Sequence, residues 1–167
     1  KKVTNGPPVW VASSAVATMT FDDALPRGLA GPVPTGASFH TEAKAAVQKA
    51  FEKAGIGPKD VSFTELQDNT CYYELAFPEE WGLCQPGESE KLLEANQTLP
   101  TGSMPINPSG GFVSFGEATT AMGVFQIAEL TWQLRGQSGG RQVPNAKVGL
   151  AQTLGLGGNA TAAILKR

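Results

Sequence analysis

The 167-residue chain is poor in the residues that build metal sites and disulfide frameworks, with one histidine, His40, and two cysteines, Cys71 and Cys84. Two cysteines do not make a disulfide framework, and together with one histidine they do not supply the ligands of an ordinary zinc site. Neither cysteine has a basic neighbour in the sequence that would promote thiolate formation, so we interpret both as reduced structural thiols. The sequence therefore predicts a cytoplasmic protein without a metal.

Long apolar runs and blocks of like charge are also missing. No apolar run reaches the roughly 18 residues of a transmembrane helix, so no membrane span is expected. The formal net charge is −2 and no basic patch is present, which argues against nucleic-acid binding. Hydrophobic residues make up 41% of the chain and charged residues 17%, as in a globular domain or one half of a larger fold. Because residue 1 is not an initiator Met, we expect a piece of a longer protein.

Hydrophobic periodicity predicts an alternation of strands and helices. Strands are expected at 9–16, 60–68, 104–107, 146–155 and 159–167, and helices at 40–54, 70–83, 89–97 and 118–137. This order is typical of an α/β fold with a mainly parallel mixed sheet of about five strands and helices on both faces.

The last predicted helix is apolar on nearly all sides of its first three turns. The residues concerned are Ala121, Met122, Val124, Phe125, Ile127 and Ala128. A helix that is apolar all round is buried on all sides, so we expect one fully buried helix between two layers. One chain of this length can hardly supply both layers, which predicts that part of the covering material lies outside this sequence.

Three polar or glycine-rich stretches follow predicted strands, namely "QDNTCYY" (67–73), "NPSGGFVSFGE" (107–117) and "LGLGGN" (154–159). In open α/β sheets such loops meet at the carboxyl ends of the strands, where ligands bind. The glycine loop either lets the backbone pack closely or offers free N–H groups to an anion. Glu117, the only charge in residues 107–123, is either a charge at a helix start or a carboxylate base. "GLGGNA" loosely matches a dinucleotide motif, but it precedes a strand, so nucleotide binding is not expected.

Several long segments resemble, in order and spacing, the C-terminal half of thiolases of the sterol-carrier-protein type. They are "AVQKAFEKAGIGPKDVSFTELQD", "WGLC", "PINPSGG", "AELTWQLRGQSGGRQVPNAKVGL" and "LGLGG", and the likeness runs from about Ala43 to Arg167. The resemblance implies that residues 1–167 form a thiolase C-terminal-type domain whose N-terminal half is absent from this chain. It also implies that the buried helix lies in a middle layer shared by the two halves.

The resemblance further implies two partners, the N-terminal thiolase half and a second copy in a homodimer. A small acyl-CoA-binding subunit is a further candidate partner. No cofactor is expected, because coenzyme A enters as part of the substrate. The chain alone should be inactive.

Two family motifs are altered. The sterol-carrier-protein type has His-Asp-Cys-Phe where this chain has Gln67, Asp68, Asn69 and Thr70, and Gly-His-Pro where it has Gly116, Glu117 and Ala118. The groups that would activate a nucleophilic cysteine and form an oxyanion hole are therefore replaced. Superfamily members with such losses act as aldolases on acyl-CoA thioesters in lipid or steroid side-chain degradation.

The resemblance thus implies retro-aldol cleavage of a β-hydroxyacyl-CoA. One alternative is thiolase-type acyl transfer with a cysteine in the missing half; another is a non-catalytic acyl-CoA-binding, lipid-binding or scaffold subunit. In the aldolase interpretation, Glu117, Tyr72 or Tyr73 acts as base or acid, and Gln67 and Asn69 donate hydrogen bonds to the thioester oxygen. The expected substrate-binding residues are Ser109, Gly110, Gly111, Gly157 and Gly158.

Overall fold

A computed structural model describes residues 6–19, 41–118, 120–155 and 158–167. The strands are β1 (Trp10–Thr18), β2 (Phe63–Glu65), β3 (Val148–Gly155) and β4 (Asn159–Lys166). The helices are α1 (Thr41–Ala54), α2 (Tyr72–Glu80), α3 (Ser89–Glu94), α4 (Gly111–Phe115) and α5 (Met122–Arg135), with 3-10 turns at Pro58–Asp60 and Gly139–Arg141. His40, expected to begin the first helix, lies outside the described residues. The short helix α4 is the one α-helix in these ranges that the periodicity did not predict.

The strands form one mixed sheet in the order β1-β4-β3-β2. β4 is antiparallel to both β1 and β3, whereas β2 is parallel to β3. Hence β1, β2 and β3 point the same way, and the prediction of a mixed α/β sheet is confirmed. The prediction of a mainly parallel sheet needs correction. β4 runs opposite to both of its neighbours, β1 and β3, so two of the three described pairings are antiparallel. The strand predicted at 104–107 is a single parallel bridge between Thr64 and Ile106.

Helix α1 covers one face of the sheet. Its inner side is built from small residues, Ala43, Ala46, Val47 and Ala50, which are fully buried and let the helix approach closely. They pack with alternate residues of the strands, including Ala15, Leu150 and Ile164. The aromatic residues of α2 and its end join the same core, so α1 and α2 share one side of the sheet.

Helix α5 covers the opposite face, where Leu130 and Leu134 pack on Phe63, Ala151 and Leu165. Its other side is bare within the described chain: Val124 is 68% exposed, Phe125 45% and Trp132 46%. The expectation of a helix buried on all sides is therefore not confirmed within this chain, and its cover by material outside this sequence stays a prediction. An apolar pattern on all sides of a helix reflects every surface that packs against it in the complete protein. The sheet of this chain covers only one side of α5.

Candidate active site at the carboxyl edge of the sheet

The loops that follow β2, the 104–107 segment and β3 meet at one edge of the sheet, as predicted, and the residue after β1 joins them. The backbone N–H of Met19, after β1, donates to the carbonyl of Gly158 in the β3–β4 turn at 2.8 Å. The backbone N–H of Leu66, after β2, donates to Oδ1 of Asn107 at 2.8 Å. Because β1, β2 and β3 share one direction, residues far apart in the sequence become neighbours there.

Glu117 and Asn69 face each other across this edge. Nδ2 of Asn69 lies 3.5 Å from Oε1 of Glu117, a long hydrogen bond between two exposed side chains. Glu117 follows α4, and α5 begins only at Met122. The interpretation of Glu117 as a cap-region charge at the start of the long helix is therefore wrong, because four residues, 118–121, separate Glu117 from the first residue of that helix. The carboxylate is open to solvent.

Gln67 is buried and links β2 to β3. Its Oε1 accepts a hydrogen bond from the backbone N–H of Leu154 at 2.6 Å, and its own backbone N–H donates to Oε1 of Gln152 at 3.3 Å. Its amide nitrogen makes no hydrogen bond to any part of the chain that the structure describes. That nitrogen is the group of Gln67 that could donate to a thioester oxygen.

The two tyrosines at the start of α2 occupy different environments. Tyr72 is 55% exposed, whereas Tyr73 is 8% exposed and stacks on Phe77 with ring centroids 4.7 Å apart. Burial, and secondarily the charge of Glu42, raises the pKa of Tyr73 above its ordinary value. Of the two, Tyr72 is the one whose ring reaches the solvent side.

The glycine loop is tied down by side chains rather than open. Ser109 donates twice to the carboxyl group of Glu65, from its backbone N–H to Oε1 at 3.0 Å and from its hydroxyl to Oε2 at 2.7 Å. Gly110 and Gly111 both have positive φ, 98° and 67°, which side-chain-bearing residues rarely adopt. Of the predicted substrate-binding residues in this loop, Ser109 already uses its hydroxyl hydrogen in the bond to Glu65. Gly110 is exposed.

The second predicted glycine site is described only in part, because Gly157 lies outside the described residues. Gly158 has φ 75° and packs against Met19 so closely that a Cβ would lie 2.6 Å from the Met19 sulfur. The positive φ favours glycine at this position, and the end of the Met19 side chain would have to move to admit a larger residue.

Two buried carboxylates, Glu65 and Asp68, were missed by the sequence reasoning. Burial raises the pKa of Glu65 to about 8, although the Ser109 hydrogen bonds oppose that rise. Asp68 accepts hydrogen bonds from the backbone N–H groups of Phe112 at 2.7 Å and Val113 at 3.4 Å. The alternating pattern of residues 60–68 could have predicted the buried Glu65, because it puts Glu65 on the same strand face as Phe63. An acid on an apolar strand face indicates a buried partner.

A cavity of about 350 Å³ lies on the outward side of α5. It is lined by Ser109, Phe115, Phe125, Ala128, Glu129, Trp132 and Arg141. Arg141 holds the buried carboxylate of Glu129 through two hydrogen bonds, at 2.7 and 3.0 Å, and lies over the ring of Trp132. The walls are thus largely apolar, with three aromatic rings and one ion pair in the lining.

Within the described ranges, no three His, Cys, Asp or Glu side chains are grouped so that they could hold a metal ion. The helices of those ranges include none with the length and apolar character needed to cross a bilayer.

The strand order, the glycine loop and the long helix after it define a thiolase-like α/β domain. The chain superposes on a solved structure of an "Ltp2-ChsH2(DUF35) aldolase" with a TM-score of 0.78 and 23% identity, covering 96% of this chain and 40% of that one. Residues 36–167 match the family model described as thiolase C-terminal domain-like, and the chain belongs to this family. The resemblance to the C-terminal half of thiolases is thereby confirmed.

Two curated relatives are similar to this chain over most of its length. Sterol carrier protein 2 of Rattus norvegicus is 46% identical over 123 residues, which is 74% of this chain and 22% of that protein. Benzoylsuccinyl-CoA thiolase subunit BbsB of Thauera aromatica is 34% identical over 158 residues, 94% of this chain and 39% of that protein. The chain thus spans well under half the length of both relatives.

Proposed function

We propose that the protein containing this chain cleaves a carbon–carbon bond of a β-hydroxyacyl-CoA by a retro-aldol reaction, with Glu117 as the base. The observation that carries the proposal is the exposed Asn69–Glu117 pair. It lies at the carboxyl ends of the strands, at the positions where thiolases of the sterol-carrier-protein type have cysteine and histidine. The fold likeness to an aldolase agrees with it.

The chemistry needs few groups. A base removes the proton of the β-hydroxyl, the bond between the α and β carbons breaks, and a carbonyl product leaves. The electron pair stays on the acyl-CoA as an enolate, which takes a proton at the α carbon to give the shortened thioester. A carboxylate, a hydrogen-bond donor for the enolate oxygen and an acid for reprotonation suffice, and no nucleophilic thiol is required.

The side chains of this edge fit those roles. Glu117 accepts the hydroxyl proton, and its hydrogen bond with Asn69 limits where the carboxylate points. The amide nitrogen of Gln67, held in place through its oxygen by Leu154, is available as a donor to the thioester oxygen. Tyr72, exposed at the start of α2, is the remaining candidate acid.

The site is completed by material from outside this chain. The bare apolar side of α5 and the aromatic cavity above it are surfaces that a second thiolase half would cover. A homodimer and an additional subunit belong to the same proposal. The similar aldolase structure is named for two components, Ltp2 and ChsH2, and the Thauera relative is named as a subunit.

The test measures kcat for cleavage of a β-hydroxyacyl-CoA by the full-length protein and its Glu117→Gln variant. We expect kcat to fall about 100-fold or more, with acyl-CoA affinity nearly unchanged, because a general base contributes about 10²–10⁴ in rate. Glu94→Gln, an exposed glutamate at the end of α3, is the matched control and should leave kcat unchanged. Equal kcat in wild type and Glu117→Gln would reject Glu117 as the base.

Thiolase-type acyl transfer is the second candidate, because curated relatives include a thiolase subunit. It needs a nucleophilic cysteine in the other half, and it predicts thiolysis of a 3-ketoacyl-CoA that survives Glu117→Gln. Retained acyl-CoA binding without either turnover would instead identify a binding or scaffold subunit.

A further inference from the structure

Adjacent residues Asp68 and Asn69 hold opposite ends of the short helix α4. Asp68 accepts the hydrogen bonds of Phe112 and Val113 in the first turn of the helix. Asn69 donates to Glu117, two residues beyond the last helical residue. Five residues of helix span only about 7.5 Å, so two neighbouring side chains can reach both ends.

Helix α4 cannot fix its own position. Its N-cap is Gly110, which has no side chain to cap the helix. A helix of five residues is also far too short to be stable alone in water. The carboxylate of Asp68 takes the capping role from another part of the chain, and its negative charge suits the free N–H groups of a helix start.

The backbone around α4 is shaped to admit this carboxylate. Gly111, the first residue of the helix, has φ 67°, and a Cβ there would overlap Oδ2 of Asp68. Any other residue would collide with the acid or push it away. Asp68 itself is 1% exposed, so its charge is satisfied by these N–H groups rather than by water.

The loop also has contacts that do not involve Asp68. Ser109 remains bound to Glu65, upstream of the helix. Phe115 keeps its edge contacts with Phe112 and Phe125, with ring centroids 5.5 and 6.0 Å apart. Asp68→Asn keeps one acceptor oxygen but presents an NH2 group to the second backbone N–H, so it should shift the start of the helix without unfolding the domain.

We propose that Asp68 is a positioning residue, which sets the distance between Glu117 and Asn69 by fixing the start of α4. The proposal rests on the proposed function only for its kinetic readout. A misplacement of about 1 Å in a catalytic group can cost about 100-fold in rate. The contacts at the two ends of α4 support this role independently of the family likeness.

The kinetic test uses the full-length protein with Asp68→Asn, Glu117→Gln and the double variant. Asp68→Asn should lower kcat about 10- to 100-fold while acyl-CoA affinity changes less than about threefold. In the Glu117→Gln background, Asp68→Asn should cause almost no further loss, because it acts through Glu117. A general structural defect would multiply the two losses, and that result, or wild-type kcat in Asp68→Asn, would overturn the proposal.

Asp60→Asn is the matched control. Asp60 also accepts a backbone hydrogen bond at a short helical turn, from Gly57 at 2.8 Å, but it is exposed and lies in the turn before β2. This variant should keep wild-type kcat.

A second readout does not depend on turnover. Amide hydrogen exchange of residues 112–117 should be faster in Asp68→Asn and in Gly111→Ala, and unchanged in Asp60→Asn. If the wild-type protein shows no retro-aldol cleavage, the proposed function fails while exchange still decides the role of Asp68. Unchanged amide exchange of residues 112–117 in both Asp68→Asn and Gly111→Ala would refute the positioning role of Asp68, even if one of the two variants folds poorly.

Discussion

Replacing Glu65 by Gln should remove a strong pH dependence from the stability of the protein. Glu65 is buried at the end of β2, and burial raises the pKa of its carboxyl from 4.5 to about 8. The nearby acids Glu129 and Asp68 raise the pKa further, while the hydrogen bonds of Ser109 lower it. In the unfolded chain the same carboxyl titrates near its ordinary value.

The sign follows from proton counting. Between about pH 4.5 and pH 8 the native protein keeps the Glu65 proton, whereas the unfolded chain has lost it. The native state then binds more protons, so stability falls as pH rises through this window. At about 1.4 kcal/mol per pH unit, the loss between about pH 5 and pH 8 is on the order of 3 kcal/mol. Gln cannot ionise and should abolish this component, at a cost of about 1 kcal/mol for the altered hydrogen bond to Ser109.

The assay is denaturant unfolding of the full-length protein and the Glu65→Gln variant at intervals from about pH 5 to pH 8.5, which brackets the window of the linkage. The difference in unfolding free energy should change steadily in favour of the variant as pH rises. Glu52→Gln, an exposed acid on α1, is the control and should track wild type. A pH-independent difference between wild type and Glu65→Gln would refute the reasoning, because it would mean that Glu65 is ionised in the native state throughout.

Two further predictions concern the Arg141–Glu129 ion pair and the two thiols. Arg141→Ala should lower the free energy of unfolding by about 2–3 kcal/mol, less than the roughly 3–5 kcal/mol of a fully buried pair, because Arg141 is 43% exposed while Glu129 is 2% exposed. Denaturant midpoints measure the loss, and a similar loss in Lys91→Ala, an exposed residue of α3, would contradict it. Mass spectrometry after brief thiol alkylation should find Cys71 labelled much faster than Cys84, because Cys71 is exposed whereas Cys84 is buried and burial raises its pKa. Equal labelling of the native protein would be the opposite result.

Much of the fold could be predicted because local patterns encode it. The alanine spacing of α1 and the alternation in β1 depend on which face each side chain presents, and that information is local. The strand order is not local, since it depends on pairing of β4 between β1 and β3, and no residue in β4 identifies its neighbours. The short helix α4 was not predicted for a related reason: its cap is Asp68, 44 residues from Phe112 in the sequence.

The candidate site divided in the same way. Glu117 and Asn69 could be proposed because they replace residues of a recognisable motif, and the structure brings them together. Their catalytic roles stay predictions. The pairing of Glu65 could not be predicted from the sequence, because its partner Ser109 lies 44 residues away.

The bonds that hold the candidate site also set when it can form during folding. Glu65 reaches Ser109 and Asp68 reaches Phe112 across 44 residues, and the bond from Leu154 to Gln67 closes 87. Such long closures cost chain entropy that is recovered only once the distant segments have packed, so they tend to form late. Helix α1 and its alanine face, by contrast, are locally encoded and can form early. A newly made chain should therefore form helix α1 before Glu117 and Asn69 meet, and the geometry of the candidate site should be among the last native features to form.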